Sequence, residues 1–264
     1  MNIICFDLDG TLLNEDDKIH PSDRSLLASR KDVPFIITTG RALSGIKGVF
    51  ERNELFSPGE IPFPIVAQNG AVLYKPHEEF FDHCPFDSNI QFQVINTIRN
   101  FDLITFFLFE KSDIFVLHEN PLGTFYAQFW YMPTQPYTNS TKLSLTKIMG
   151  LSDDAQFLQE VADSISSLKM EVETSFSLDF LLEITPPGID KGNGLQKLLH
   201  VLDLQDAQIF MAGDGGNDLP LFNLASRSYA PISGSKDLKA LADVIINREA
   251  SGVLTPMLAD AGLL

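Results

Sequence analysis

Four times along this chain a short apolar run stops on polar, turn-forming residues: Asp7-Leu8-Asp9-Gly10-Thr11, Thr39-Gly40-Arg41, Gln68-Asn69-Gly70 and Gly213-Asp214-Gly215-Gly216-Asn217-Asp218. The runs before them, residues 2–6, 33–38, 64–67 and 208–212, read as strands, and the first is apolar without alternation, as in a strand buried on both faces. Segments of helical spacing or polarity lie between, over 22–31 behind Pro21-Ser22, over 43–53 and over 191–202. That order predicts an α/β fold with a doubly wound parallel sheet, whose ligands gather outside the carboxyl ends of the strands. Asp9, Thr39 and Asn69 all fall at such ends.

Between residues 82 and 186 the pattern changes. A helix is expected over 88–100, then a hairpin of strands 101–109 and 114–117, then an aromatic stretch with Phe125, Tyr126, Phe129, Trp130, Tyr131 and Tyr137. A strand near 145–149, a helix over 155–170 and strands 171–175 and 180–184 follow, and Pro186-Pro187-Gly188 reads as a return linker. Asp153 and Gln156 have capping-box spacing at the start of that helix. The insert therefore reads as an α+β domain over 82–186, which leaves 1–81 and 187–264 as one core domain. Most of its aromatics are expected to fill its own interior; a stacking platform for a sugar is the functional alternative.

The chain has 264 residues, 44% hydrophobic and 20% charged, enough for two folded domains. Nineteen basic against 35 acidic residues give a net charge of -16, which disfavours nucleic acid and anionic membrane as partners. The longest strongly apolar stretch, 103–109, is far short of the ~20 residues of a membrane helix. No leader-like segment opens the sequence, and two cysteines do not suggest a disulfide framework. A cytoplasmic protein is expected, monomeric or weakly self-associating.

Asp7 and Asp9 stand two positions apart, so both carboxylates face one side of the chain. An ordinary Asp-Gly turn explains those residues equally well, and Asp214 and Asp218 alone read as turn and cap residues. If the strand ends are neighbours, however, four carboxylates converge and repel unless a cation joins them; oxygen donors of this kind suit Mg2+. Lys191 opens a helix, where its charge opposes the macrodipole, so an anion is expected to hold it unless it is simply solvated. Thr39 could donate its hydroxyl to the same anion, whereas Arg41 and Asn69 could merely tie the domains together.

In order and spacing, the segments Asp7-Leu8-Asp9-Gly10-Thr11-Leu12-Leu13, Thr38-Thr39-Gly40-Arg41, Lys191-Gly192-Asn193-Gly194-Leu195 and Gly213-Asp214-Gly215-Gly216-Asn217-Asp218 resemble the four motifs of the haloacid dehalogenase (HAD) superfamily, in particular the Cof-like phosphatases with a type IIB cap. The resemblance implies a Rossmann-like core and a phosphoric monoester hydrolase. Asp7 would attack phosphorus to form an aspartyl-phosphate, and Asp9 would protonate the leaving group and then activate water. Thr39 and Lys191 would hold phosphoryl oxygens, and Mg2+ would be held by Asp7, Asp9 through its carbonyl, Asp214 and Asp218. Leu8, Gly10, Gly40, Arg41, Asn69 and Asn217 would contact substrate or shape its site, with Asn217 orienting the lysine or its loop. The implied activity is magnesium-dependent hydrolysis of a small phosphorylated metabolite, sugar phosphates foremost. A phosphomutase on the same scaffold is one alternative; a non-catalytic phosphate-binding or interaction module is another.

Overall fold

The first apolar run becomes β1 (Asn2–Asp7) in a computed structural model that describes residues 1–56, 59–138 and 142–264. The other strands are β2 (Phe35–Thr38), β3 (Ile65–Ala67), β4 (Val72–Lys75), β5 (Glu79–His83), β6 (Thr105–Glu110), β7 (Asp113–Leu117), β8 (Thr134–Pro136), β9 (Lys147–Leu151), β10 (Glu173–Leu178), β11 (Leu181–Thr185), β12 (Gln208–Ala212), β13 (Arg227–Pro231) and β14 (Val244–Ile246). The helices are α1 (Pro21–Ser29), α2 (Leu43–Arg52), α3 (Ser88–Ile98), α4 (Pro121–Phe129), α5 (Ala155–Ser167), α6 (Lys191–Val201), α7 (Leu219–Phe222), α8 (Lys236–Leu241), α9 (Arg248–Ser251) and α10 (Leu254–Asp260). The chain divides into two units: Met1–Arg41, Ile46–Asp82 and Asp190–Leu264 form one, and Ala42–Gly45 with His83–Ile189 form the other.

In the first unit the sheet runs β14-β13-β12-β1-β2-β3-β4-β5. Ladders from β14 through β3 are parallel, and β1 lies between β2 and β12. Ile3, Cys5, Ile36 and Val66 pack with Leu195, Leu198 and Leu199 of α6. Phe6, Phe35 and Phe63 meet edge to face, with centroids 6.1 and 5.2 Å apart. Each fully buried aliphatic or aromatic side chain of this kind contributes ~1.5–3 kcal/mol. The register sets Phe6 beside Ala212 and Asp7 beside Thr38, so the turns after β1, β2 and β12 emerge together. Because β2–β3 and β12–β14 extend from opposite sides of β1, this edge is the sheet's topological switch point.

The sheet is not parallel throughout. β4 returns antiparallel to β3 through Gln68-Asn69-Gly70, each with positive φ, and β5 extends that edge. The sequence shows the turn, but four residues of strand carry too little pattern to announce the hairpin.

The second unit has a six-stranded sheet, β10-β11-β9-β6-β7-β8, antiparallel except between β7 and β8. Val94 and Ile98 of α3 and Leu158, Val161 and Ile165 of α5 pack with Phe106, Leu108, Ile148, Leu182 and Ile184. Phe107, Phe109, Met149 and Leu181 form a further cluster with Tyr126, Ala127, Trp130 and Phe180. Here the aromatic stretch proves to be largely a helix: α4 starts at Pro121 behind Asn120, whose side chain accepts from the Gly123 N–H. Tyr126 stacks on Phe180 at 5.0 Å and lies 4.6 Å from Trp130, all three partly buried against the unit's own cluster, whereas Phe125 and Phe129 are 58% and 48% exposed. Element boundaries also shift by one to a few residues throughout this unit. The first strand of the hairpin starts at Thr105 rather than residue 101, and the cap of α5 is Asp154, not Asp153, with its carboxylate accepting from Gln156 N–H at 2.9 Å. Among the described residues no helix is long and apolar enough to cross a membrane.

Candidate active site

β1 delivers Asp7 to the switch point with its side chain only 5% exposed. The next residues leave the strand in an irregular turn, with Asp9 extended and Gly10 at φ 72°. A Cβ at Gly10 would overlap Asp214 Oδ2, so only glycine lets the first and last motifs approach this closely. Arg248, which carries no motif in the sequence, fixes the same turn: its Nη1 donates to the carbonyls of Gly10 and Leu13, both at 2.7 Å. Hydrogen bonds from a charged donor are worth ~1.5–3 kcal/mol each, so Arg248→Ala, which removes both, is expected to destabilise the protein by ~3–6 kcal/mol and to lower turnover. Urea unfolding and steady-state rates together check this.

Lys191, at the start of α6, is fully buried. Its Nζ donates to Asp7 Oδ1 and to Asp218 Oδ1, each at 2.7 Å. The anions that hold a cation against the helix dipole are therefore carboxylates of the protein itself. Asp218 is committed further, because its Oδ2 accepts the N–H groups of Asp214 at 2.9 Å and Gly215 at 3.1 Å. Those bonds shape the turn after β12.

Burial pushes the Asp7 carboxyl well above its usual range, against the pull of Lys191, and the charges of Asp218 and Asp9 push the same way. Burial alone would lower the Lys191 pKa, but Asp7 and Asp218 outweigh it and hold the ammonium protonated. Asp214 rises to about 6 through burial and the charges of Asp218 and Asp9, opposed by Lys191 and Arg248. More negative charge is gathered here than one lysine offsets. Asp7, Asp214 and Asp218 each offer an oxygen within 4.8 Å of the others, a donor set of hard oxygens that fits a divalent cation such as Mg2+.

The remaining expected residues surround this cluster. The Thr39 hydroxyl is buried and accepts the Arg41 N–H at 3.1 Å. Asn69 donates its N–H to the Thr39 carbonyl at 3.0 Å, and a methyl at Gly40 would come within 3.0 Å of Asn69 Oδ1. Asn217 donates to that same Oδ1 at 3.2 Å and so ties two turns together. Leu8 is buried and its carbonyl accepts from Leu13. Arg41 turns to Asp9, gripping both carboxylate oxygens, and also reaches Asp17, a residue the sequence does not single out.

Comparison with known proteins agrees with this architecture. Residues 4–257 match the family model of the haloacid dehalogenase-like hydrolases. A curated relative, the 5-amino-6-(5-phospho-D-ribitylamino)uracil phosphatase YwtE of Bacillus subtilis, is 26% identical over 90% of this chain and 90% of its own. The crystal structure of TM0651 from Thermotoga maritima superposes with a TM-score of 0.85 at 24% identity, covering 98% of this chain and 97% of that one. The subclass IIB sugar phosphatase BT4131 covers all of both chains with a TM-score of 0.76 at 19% identity. With its motifs gathered at one sheet edge and a family match over nearly its whole length, this chain belongs to the haloacid dehalogenase-like hydrolases.

Proposed function

We propose that this HAD-family phosphatase hydrolyses small phosphorylated metabolites, sugar phosphates foremost, through a covalent intermediate on Asp7 and with Mg2+. The observation that carries the reading is the buried Lys191 bridging Asp7 and Asp218 beside Asp214. It sets a carboxylate nucleophile next to a fixed positive charge, where a phosphoryl group can be gripped as it is attacked. The phosphatase YwtE acts on a phosphoribityl compound and BT4131 is a sugar phosphatase, which supports the choice of substrate class.

An Asp7 oxygen attacks phosphorus while the bond to the leaving oxygen breaks, and Asp9 supplies the proton that oxygen needs. Water then attacks phosphorus, its proton passes to Asp9, and phosphate leaves with Asp7 restored. Lys191 and the Thr39 hydroxyl hold phosphoryl oxygens, and the amides of the Leu8–Gly10 turn add donors. Gly40 with Asn69 and Asn217 keeps the neighbouring turns in place. Asp7 and Asp214, with Asp218 and the Asp9 carbonyl, would hold Mg2+, which when bound neutralises phosphoryl charge. The core is taken as 1–81 with 187–264, and the insert 82–186 as the part that sets substrate choice. Phosphate release from a panel of phosphorylated metabolites, with Asp7→Asn as blank, tests the reading; release without a bisphosphate activator separates hydrolysis from mutase chemistry.

The metal has a pH signature of its own. Asp214 ionises near 3.8 in the unfolded chain but at about 6 in the folded protein. Between those values the native state keeps a proton the unfolded chain has lost, so this group's contribution to stability falls as pH rises and is fully lost above the window. A cation beside Asp214 offsets the loss. MgCl2 is therefore expected to raise the melting temperature more at about pH 7.5 than at about pH 5, with the difference abolished in Asp214→Asn. Equal shifts at both pH values would remove Asp214 from the metal site.

A further inference from the structure

The Asp9 side chain is 52% exposed, yet it is not free to wander. Arg41 Nε lies 3.0 and 2.9 Å from its two oxygens, and Nη2 lies 2.5 Å from Oδ1. The same Nη2 donates to Asp17 Oδ1 at 2.9 Å. Arg41 and Asp17 are themselves well covered, with side chains 11% and 13% exposed.

The loop carrying Asp17 is built to aim it. Its backbone is left-handed, at φ 57°. Asn14 Oδ1 accepts the N–H groups of Asp16 and Lys18, the Asp17 N–H donates to the Asn14 carbonyl, and Asn53 Nδ2 holds the Asp17 carbonyl at 2.8 Å. Arg41 Nη1 and Asp17 Oδ2 are nevertheless buried with no protein hydrogen-bond partner. Burying an unpaired donor and acceptor is unfavourable, so hydrogen-bond satisfaction alone does not account for this orientation of the guanidinium. Its fit to the Asp9 carboxylate does.

Resting on the phosphatase reading above, we propose that Asp17 is a positioning residue for the second half of the reaction: through Arg41 it fixes the place and orientation of the Asp9 side chain towards the incoming water. In this step the water oxygen bonds to phosphorus, the bond from phosphorus to the Asp7 oxygen breaks, and the water proton moves to Asp9. Inorganic phosphate and a free Asp7 carboxylate result, and Asp9 carries the proton that the next leaving group takes.

The test uses p-nitrophenyl phosphate with Mg2+, because its leaving group departs without a proton. For this substrate kcat/KM covers only the steps through departure of the phenolate, whereas kcat also includes hydrolysis of the aspartyl-phosphate. Asp17→Asn, in which asparagine tolerates the left-handed backbone, is expected to lower kcat by ~10- to 100-fold and to leave kcat/KM within about threefold of wild type. KM falls in proportion, and rapid quench shows a burst of p-nitrophenolate approaching one per enzyme. Asp17→Gly, which keeps the turn without a carboxylate, is expected to show the same split. A parallel fall of kcat and kcat/KM without a burst, or an unchanged kcat, overturns the proposal. Wild-type release no greater than that of Asp7→Asn overturns the phosphatase reading as well, so the two failures are distinct.

Discussion

Asp7→Asn is expected to lower kcat by on the order of 10⁴-fold or more while leaving the protein folded, because on the proposed mechanism it removes the nucleophile and little else. The side chain it replaces is a carboxyl in a buried site that already holds Asp218 and Asp214 against a single lysine. Burial and those like charges disfavour the ionised form of Asp7, so a neutral amide of the same shape relieves repulsion. Lys191 keeps Asp218 as its counter-charge at 2.7 Å. Stability is therefore expected to change by no more than ~1 kcal/mol in either direction. Urea unfolding alongside phosphate release separates this result from loss of fold. A variant with substantial residual turnover would show that Asp7 is not the nucleophile.

Lys191→Met should behave in the opposite way and cost both activity and stability. It leaves two carboxylates in the interior without their cation, and breaking a buried pair from one side typically costs ~3–5 kcal/mol. Loss of the proposed contact to a phosphoryl oxygen is expected to reduce kcat by ~10²-fold or more. The stability loss carries a pH dependence of definite sign. Without the lysine the native Asp7 carboxyl binds its proton still more tightly than the unfolded chain does, so the deficit grows as pH rises above the ordinary carboxylate range and shrinks in acid. Comparing unfolding of wild type and variant at about pH 5 and about pH 7.5 checks this, and adding Asp218→Asn is expected to recover part of the loss at the higher pH. A deficit independent of pH would mean that packing rather than charge is lost.

The sequence is most informative where a structure is set by neighbours in the chain. Residues 2–6 read as a buried strand because Ile3 to Phe6 run apolar without alternation, and the strand extends just one residue further, to Asp7. Lys191 is legible as a problem, a cation at the wrong end of a helix, but not as a solution. Its partners lie 184 and 27 positions away, and no local pattern names them. Arg248 and Asp17 escape notice for the same reason, since each matters only through contacts with distant residues. The α4 helix is a different failure: Asn120-Pro121 is a fair start signal, but the aromatic and glycine-containing run after it has weak helix propensity, and packing of Tyr126 and Trp130 decides the outcome.

The missing side chain at Gly10 couples two distant stretches of the gene. Because the Asp214 carboxylate occupies the space where any larger group at position 10 would begin, two codons about 200 positions apart answer for a single volume. Neither can drift alone: a bulkier residue at 10 evicts the carboxylate, and moving the carboxylate opens a void under the turn that carries Asp9. Variation in this enzyme should therefore collect away from that edge of the sheet, in surfaces that tune which molecule is accepted rather than how its phosphate is removed.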